Sequence, residues 1–72
     1  MITKIHSIRA YEKLTGEPHD FEAFSKNDGG APYVVLLDGA FLDTAESGQE
    51  IHDEIADAIK WFGWVRTNPI FA

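Results

Sequence analysis

The stretch Tyr33-Val-Val-Leu-Leu-Asp-Gly-Ala-Phe-Leu-Asp-Thr44 decides the fold of this chain of 72 residues. Asp38 and Gly39 separate two apolar runs that each have the length of a strand. Asp-Gly between two such runs is a strong signal for a β-hairpin, because a type I′ turn needs a positive φ at both central residues. We therefore predict a hairpin over residues 33–44.

A two-residue turn also fixes the register of the hairpin. The predicted pairs are Leu37 with Ala40, Leu36 with Phe41, Val35 with Leu42, and Tyr33 with Thr44. One face then carries Tyr33, Val35, Leu37, Ala40 and Leu42, and the opposite face carries Val34, Leu36 and Phe41. Both faces are apolar, and a single helix covers one of them. The second face therefore needs the N-terminal segment, the Ile70-Phe71 tail or another molecule, which makes it a candidate face for a homodimer.

A helix is predicted directly after the hairpin. Ser47-Gly-Gln-Glu50 reads as a capping box, in which the serine hydroxyl accepts a backbone N–H and the glutamate reaches back. An apolar stripe at helical spacing follows, made of Ile51, Ile55, Ala58 and Phe62. Gly63 is suited to end the helix in a left-handed conformation. These signals place the helix at about 47–62.

The N-terminal third has two interpretations. Its apolar residues recur every three positions, which fits a helix; they are Ile2, Ile5, Ile8, Tyr11 and Leu14. The β-branched content and a turn at 14–18 fit a hairpin that runs into residues 21–25, and we favour these strands. Residues 64–67 are compatible with one more short strand. The predicted fold is α+β, one domain over 1–72, with an antiparallel meander of three to four strands packed against one helix in the C-terminal half.

The charge of the chain is strongly acidic in one region. The formal net charge is −6, and residues 27–59 contain eight acidic side chains and no Lys or Arg. Such a field repels phosphate backbones, so we expect no direct binding to nucleic acid and a protein partner with a basic surface instead. Net charge also serves solubility, which is the simpler explanation.

Composition argues against several other classes of protein. The chain has no cysteine, so disulfides and thiolate metal sites are excluded and the cytoplasm is the default compartment, that of the host if a phage encodes the chain. The longest apolar run, 33–37, is far below the roughly 20 residues that span a bilayer, so no membrane association is expected. Residues 29–30 are two glycines without the lysine and spacing of a phosphate-binding loop.

Neither catalysis nor a metal site is predicted. Histidines at 6, 19 and 52 form no metal-binding motif, and a site would need distant residues such as His19, Asp20 and His52 to converge. With no cysteine, the nucleophiles available are serines, and Ser47 is explained as a helix cap. We expect a protein that is not an enzyme and that uses no cofactor.

One nucleic-acid-binding family offers a comparison of layout. If residues 1–25 were helical, the order helix, strands, helix would resemble that of the double-stranded-RNA-binding domain over much of the chain. That family has a lysine cluster at the start of its last helix, whereas the matching stretch here, Glu46 to Glu54, is acidic. The function of that family therefore does not carry over.

The predicted helix carries three acids and a tryptophan along one side, which we call the acidic ridge: Glu50, Glu54, Asp57 and Trp61. Glu46 and Asp53 extend the same acidic surface. Acids in a first turn favour the helix dipole and a tryptophan often packs over a sheet edge, so a purely structural role is possible. Glu50 and Glu54 nevertheless repel each other at a spacing of four residues, where a Glu-to-Lys pair would add stability. The pattern leaves open whether Trp61 or Trp64 is the exposed tryptophan.

Carboxylates along one face with an aromatic anchor fit a basic groove on another protein. In size and charge the chain resembles the small acidic inhibitors that phages and mobile elements direct at host nucleases, including anti-CRISPR proteins. This resemblance implies an inhibitor that occludes a nucleic-acid-binding surface. The alternative is a homo-oligomeric structural or adaptor domain that uses the second apolar face of the hairpin.

Overall fold

The sheet of this protein is an antiparallel meander. A computed structural model describes residues 2–26 and 29–69. Its elements are β1 (Thr3–Tyr11), β2 (Pro18–Ser25), β3 (Tyr33–Leu37), β4 (Ala40–Ala45) and α1 (Gly48–Phe62). The strand order is β1-β2-β3-β4, and α1 packs on one face of the sheet. The predicted α+β fold, with four strands and one helix in the C-terminal half, is confirmed.

The N-terminal third consists of strands, as favoured, and the helical alternative is wrong. β1 pairs with β2 from Thr3 opposite Ser25 to Tyr11 opposite Pro18. The three-residue periodicity does not mark a buried face, because Ile2 is exposed and Leu14 is 92% exposed in the turn between the strands. Two strands therefore stand where that layout needs a helix, so residues 2–26 and 29–69 do not have the layout of the double-stranded-RNA-binding domain.

The central hairpin contains the predicted turn and an unpredicted bulge. Asp38 and Gly39 have φ values of 50° and 84°, as a type I′ turn requires. The pairs of Leu37 with Ala40 and Leu36 with Phe41 are confirmed, whereas Val35 pairs with Asp43 and Tyr33 with Ala45. The predicted partners of Val35 and Tyr33 were wrong, because a β-bulge sets two residues of β4 against one of β3.

Helix α1 begins and ends where its capping residues indicate. The Ser47 Oγ accepts a hydrogen bond from the Glu50 N–H at 3.2 Å, and Gly63 ends the helix with a φ of 75°. The buried residues of the helix are Ile51, Ile55 and Ile59. The predicted stripe therefore included Phe62 wrongly, since its side chain is half exposed, and it omitted Ile59.

The core lies between α1 and the inner face of the sheet. The sheet contributes Ala10, Phe21, Ala23, Val35 and Ala45 to this core, all of them buried. Phe21, Ile55 and Val35 are the largest fully buried side chains. The core is small, as expected for a domain of this length, so each large side chain in it carries much of the stability.

The second face of the hairpin has no cover within residues 2–26 and 29–69. Val34 and Leu36 are half buried and Phe41 is 66% exposed. The N-terminal segment extends the sheet sideways and does not cross this face, and the Ile70-Phe71 tail lies outside the described residues. The β1–β2 half of the same face is charged, with ion pairs between Lys4 and Glu22 and between Arg9 and Asp20.

The segment after α1 returns to the outer edge of β1. Val65 and Tyr11 exchange two backbone hydrogen bonds, with N···O distances of 2.7 and 2.9 Å. This isolated bridge takes the place of the short strand that the sequence allowed at 64–67. No helix within the described parts of the chain is long and apolar enough to cross a membrane.

Candidate partner-binding surface

The acidic ridge lies along the side of α1 that turns away from the core. Glu50, Asp57 and Trp61 are exposed and Glu54 is half buried. Trp61 is 86% exposed, whereas Trp64 is half buried and stacks on other rings. Trp61 is therefore the exposed tryptophan, and it stands one turn beyond Asp57 on the same side of the helix.

The carboxylates of the helix lack basic partners. Between residues 2–26 and 29–69, none of the ion pairs includes Glu50, Asp53, Glu54 or Asp57. Asp53 accepts a hydrogen bond from the Gln49 side chain at 3.0 Å, which leaves its charge in place. Glu46 is exposed just before the helix and adds to the same field. The surface is thus strongly negative and ends at an exposed aromatic ring.

A groove between β4 and α1 adds one acid that the sequence analysis missed. Its lining consists of Leu42, Asp43, Glu54, Asp57 and Ala58. Asp43 lies on the helix side because the bulge pairs it with the buried Val35, and directly paired residues share a face. In a regular hairpin Asp43 would lie on the opposite face. The sequence holds no clear signal for the bulge, so this contribution was not predictable.

The surroundings of Glu54 disfavour the ionised form of its carboxyl group. Partial burial raises its pKa first, and the nearby charges of Asp43 and Glu50 raise it further. The Oε1 atom of Glu54 is buried and has no hydrogen-bond partner among the described residues. Burial of an unpaired acceptor costs free energy, so this position destabilises the isolated domain.

We expect Glu54→Gln to stabilise the isolated domain at pH 7. Because the folded-state pKa of Glu54 is raised, ionisation costs stability as the pH rises from the ordinary value of 4.5 through that folded-state pKa. The gain should stay below about 1 kcal/mol, since solvent screens a half-buried group. Urea denaturation at pH 3.5 and pH 7 measures the difference, which should vanish at pH 3.5.

Asp57→Asn serves as the matched control, because Asp57 is exposed on the same helix. Its effect should be close to zero at both pH values. If the Glu54→Gln domain is no more stable than wild type at pH 7, ionisation of Glu54 does not cost the folded protein stability.

A second cluster of charged groups surrounds His19, a histidine that belongs to no motif in the sequence. His19 Nδ1 lies 2.7 Å from Asp38 Oδ2, and Nε2 lies 2.8 Å from Glu12 Oε2. The His19 ring also stacks on Trp64, with centroids 4.0 Å apart. These contacts join residues 12, 19, 38 and 64, which no local pattern connects.

The geometry around His19 fits an ion-pair cluster better than a metal site. Glu12, Glu17 and His19 offer ligand atoms within 4.8 Å of one another. Both ring nitrogens of His19 nevertheless face carboxylates at hydrogen-bond distance, so an imidazolium already satisfies the group. His52 lies beside His6, with ring centroids 6.5 Å apart, so the structure does not bring it to this cluster.

Comparisons with known proteins found no relative from which a function could be inferred, so a function can be inferred from the surface geometry alone. The chain matches no protein-family model, no curated protein and no solved structure.

Proposed function

We propose that this protein is a non-catalytic binding module whose acidic ridge covers a basic surface of a protein partner. The observation that supports this most is the 86% exposure of Trp61 at the end of a row of carboxylates without basic partners. In its most specific form, the partner's basic surface binds nucleic acid and the module inhibits it by occlusion, as phage-encoded or anti-CRISPR-like inhibitors do.

The tryptophan and the carboxylates of the acidic ridge have separate roles in such a complex. Tryptophan is enriched among the residues that dominate binding energy, because its large ring fills a pocket and excludes water. The carboxylates attract a basic partner over a distance and accelerate association. The same carboxylates repel the phosphates of nucleic acid, so the ridge competes for the partner and does not bind nucleic acid itself.

The groove beside the ridge supports a basic partner further. Asp43, Glu54 and Asp57 line it together with the apolar Leu42 and Ala58. A Lys or Arg side chain placed there would pair with Glu54, whose pKa is raised by burial and then by the nearby charges of Asp43 and Glu50. Residues that reduce stability in the free protein and gain a partner on binding are typical of functional surfaces.

The test uses three tagged proteins that differ in where the charge lies. The neutral-ridge variant carries Glu50→Gln, Glu54→Gln and Asp57→Asn, which changes the net charge from −6 to −3. The matched control carries Thr3→Lys, Ala40→Lys and Thr67→Lys, also gives −3, and changes exposed residues away from the ridge. Wild type serves to isolate and identify the partner from a lysate.

Purified partner then gives the measurement. The neutral-ridge variant should bind it roughly tenfold more weakly or worse, while the control stays within about threefold of wild type. Affinity of wild type should fall steeply as salt rises, because exposed charges are screened. Equal binding by the neutral-ridge variant and the control would overturn the ridge as the contact surface.

A displacement experiment distinguishes inhibition of the partner from simple binding to it. Partner preloaded with nucleic acid should release it when wild type is added at equimolar amounts, and the neutral-ridge variant should release little. A ternary complex that retains the nucleic acid would refute occlusion and leave the binding role intact.

A second candidate function rests on the open face of the hairpin. Phe41 is 66% exposed beside the half-buried Val34 and Leu36. Under two-fold symmetry the apolar β3–β4 halves of two copies can meet each other, with the charged halves outside. This would make the protein a homo-oligomeric structural or adaptor domain, and sedimentation of wild type against Phe41→Lys tests it.

A further inference from the structure

The contacts of the two ring nitrogens of His19 favour its charged form in the folded protein. Nδ1 and Nε2 each lie within 2.8 Å of a carboxylate oxygen, on Asp38 and Glu12 respectively. A neutral imidazole has one N–H and can donate to one carboxylate, whereas an imidazolium donates to both. The arrangement therefore favours a doubly protonated ring.

Trp64 connects this charged ring to the end of the helix. Its indole lies between the His19 ring at 4.0 Å and the Phe62 ring at 4.3 Å, and it is nearly parallel to both. A cation on the face of an indole is attracted to it, and the attraction is lost when the imidazole becomes neutral. The cation–π part of the stack and the ion pairs thus depend on the same proton.

The stack adds to the backbone hydrogen bonds that hold the segment after α1 on the sheet. Trp64 follows Gly63, the residue that ends α1, and its N–H binds the Ile59 carbonyl. The next residue, Val65, makes the isolated bridge to Tyr11 at the edge of β1. His19 in β2, Asp38 in the β3–β4 turn and Glu12 after β1 are thereby joined to the chain after the helix.

We propose that His19, Glu12, Asp38, Trp64 and Phe62 form a pH-controlled latch that holds the segment after α1 on the sheet and releases it when His19 loses a proton. The residues that form the latch lie outside the acidic ridge, so the latch does not depend on the proposed partner.

The charged groups that face the latch favour the closed form. The acids near His19 come from the β1–β2 and β3–β4 turns and are Glu12, Glu17 and Asp38. Asp20, the next residue in β2, lies on the opposite face of the sheet, where Arg9 pairs with it. Lys13 lines a depression together with Glu12 and Trp64 and brings one positive charge to this end of the sheet. Hydrogen bonds from Asp38 and then Glu12 raise the pKa of His19 above its ordinary value of 6.5.

The raised pKa of His19 determines how the stability contributed by the latch changes with pH. Because the folded-state pKa is raised, the latch contributes its full stability below about pH 6.5 and loses it as the pH rises through the folded-state pKa. At the acidic end the pKa of Glu12 is lowered by the hydrogen bonds from His19 and Thr15. The latch therefore persists until the pH falls below the usual range of a glutamate.

The test follows the Trp64 and His19 rings of the latch separately. A Trp61→Phe background leaves Trp64 as the sole tryptophan. Its fluorescence is recorded from pH 5.5 to 9.5, and the His19 ring is titrated by NMR in the same protein. Both should change with one midpoint above 6.5, and hydrogen-exchange protection of the Val65 N–H should fall above that midpoint.

Variants assign the midpoint to the latch. His19→Gln should abolish the fluorescence change and Glu12→Gln should lower the midpoint, while His52→Gln, at a distant histidine, should alter neither. If His19→Gln does not fold, the shift in Glu12→Gln carries the test. The latch is refuted if Trp64 fluorescence ignores the titration of His19, or if Glu12→Gln leaves the midpoint in place.

Discussion

Phe21→Ala is expected to lower the free energy of unfolding by about 3–5 kcal/mol, the range for truncation of a buried aromatic ring. Phe21 is fully buried at the centre of β2, where it packs under α1 and contacts Trp64 with ring centroids 5.9 Å apart. A domain of 72 residues has a thin stability margin, so this variant should be partly unfolded at 25 °C. Urea denaturation followed by far-UV circular dichroism measures the loss.

Phe41→Ala is the matched control, because it removes the same side chain from the opposite face of the sheet. Phe41 is 66% exposed in β4, so its truncation removes little buried area. The expected loss is within about 0.5–1 kcal/mol. The difference between the two variants therefore measures which face of the sheet forms the core.

A large effect of Phe41→Ala would contradict this assignment for the isolated chain. It would mean that the open face is buried in solution, and sedimentation would then show whether a second copy covers it. Loss of the oligomer together with loss of stability would favour the homo-oligomeric function over the ridge.

The sequence predicts those parts of the fold that short-range chemistry determines. Asp38 and Gly39 adopt the positive φ values of a type I′ turn, and Ser47 caps the helix, because both features depend on a few adjacent residues. The bulge in β4 has no such short-range signal. It could not be read from a pattern, and it reversed the face on which Asp43 lies.

The candidate surfaces also differ in whether short-range patterns in the sequence predict them. The acidic ridge was predictable because helical spacing alone places Glu50, Glu54 and Asp57 on one side. The contacts of His19 with Glu12 and Asp38 join two separate turns, so they required the sheet register. Sequence reasoning thus finds sites built on one element more readily than sites built between elements.

Trp64→Ala is expected to cost about 2–3 kcal/mol of stability, somewhat less than a fully buried tryptophan because Trp64 is half buried. The substitution removes the ring between His19 and Phe62 and takes away the surface on which the imidazolium rests. It should also release the bridge between Val65 and Tyr11. Thermal and urea denaturation of the purified variant give the value.

Trp61→Ala completes the comparison, since it removes the same side chain three residues earlier. With 86% of Trp61 exposed, stability should change by no more than about 0.5 kcal/mol. Partner affinity should instead fall by about 2 kcal/mol or more, as for an aromatic residue that dominates an interface. Trp64 would then serve the fold and Trp61 the function. A Trp61→Ala variant that binds the partner as wild type does would remove the aromatic anchor from the proposed surface, whatever the carboxylates contribute.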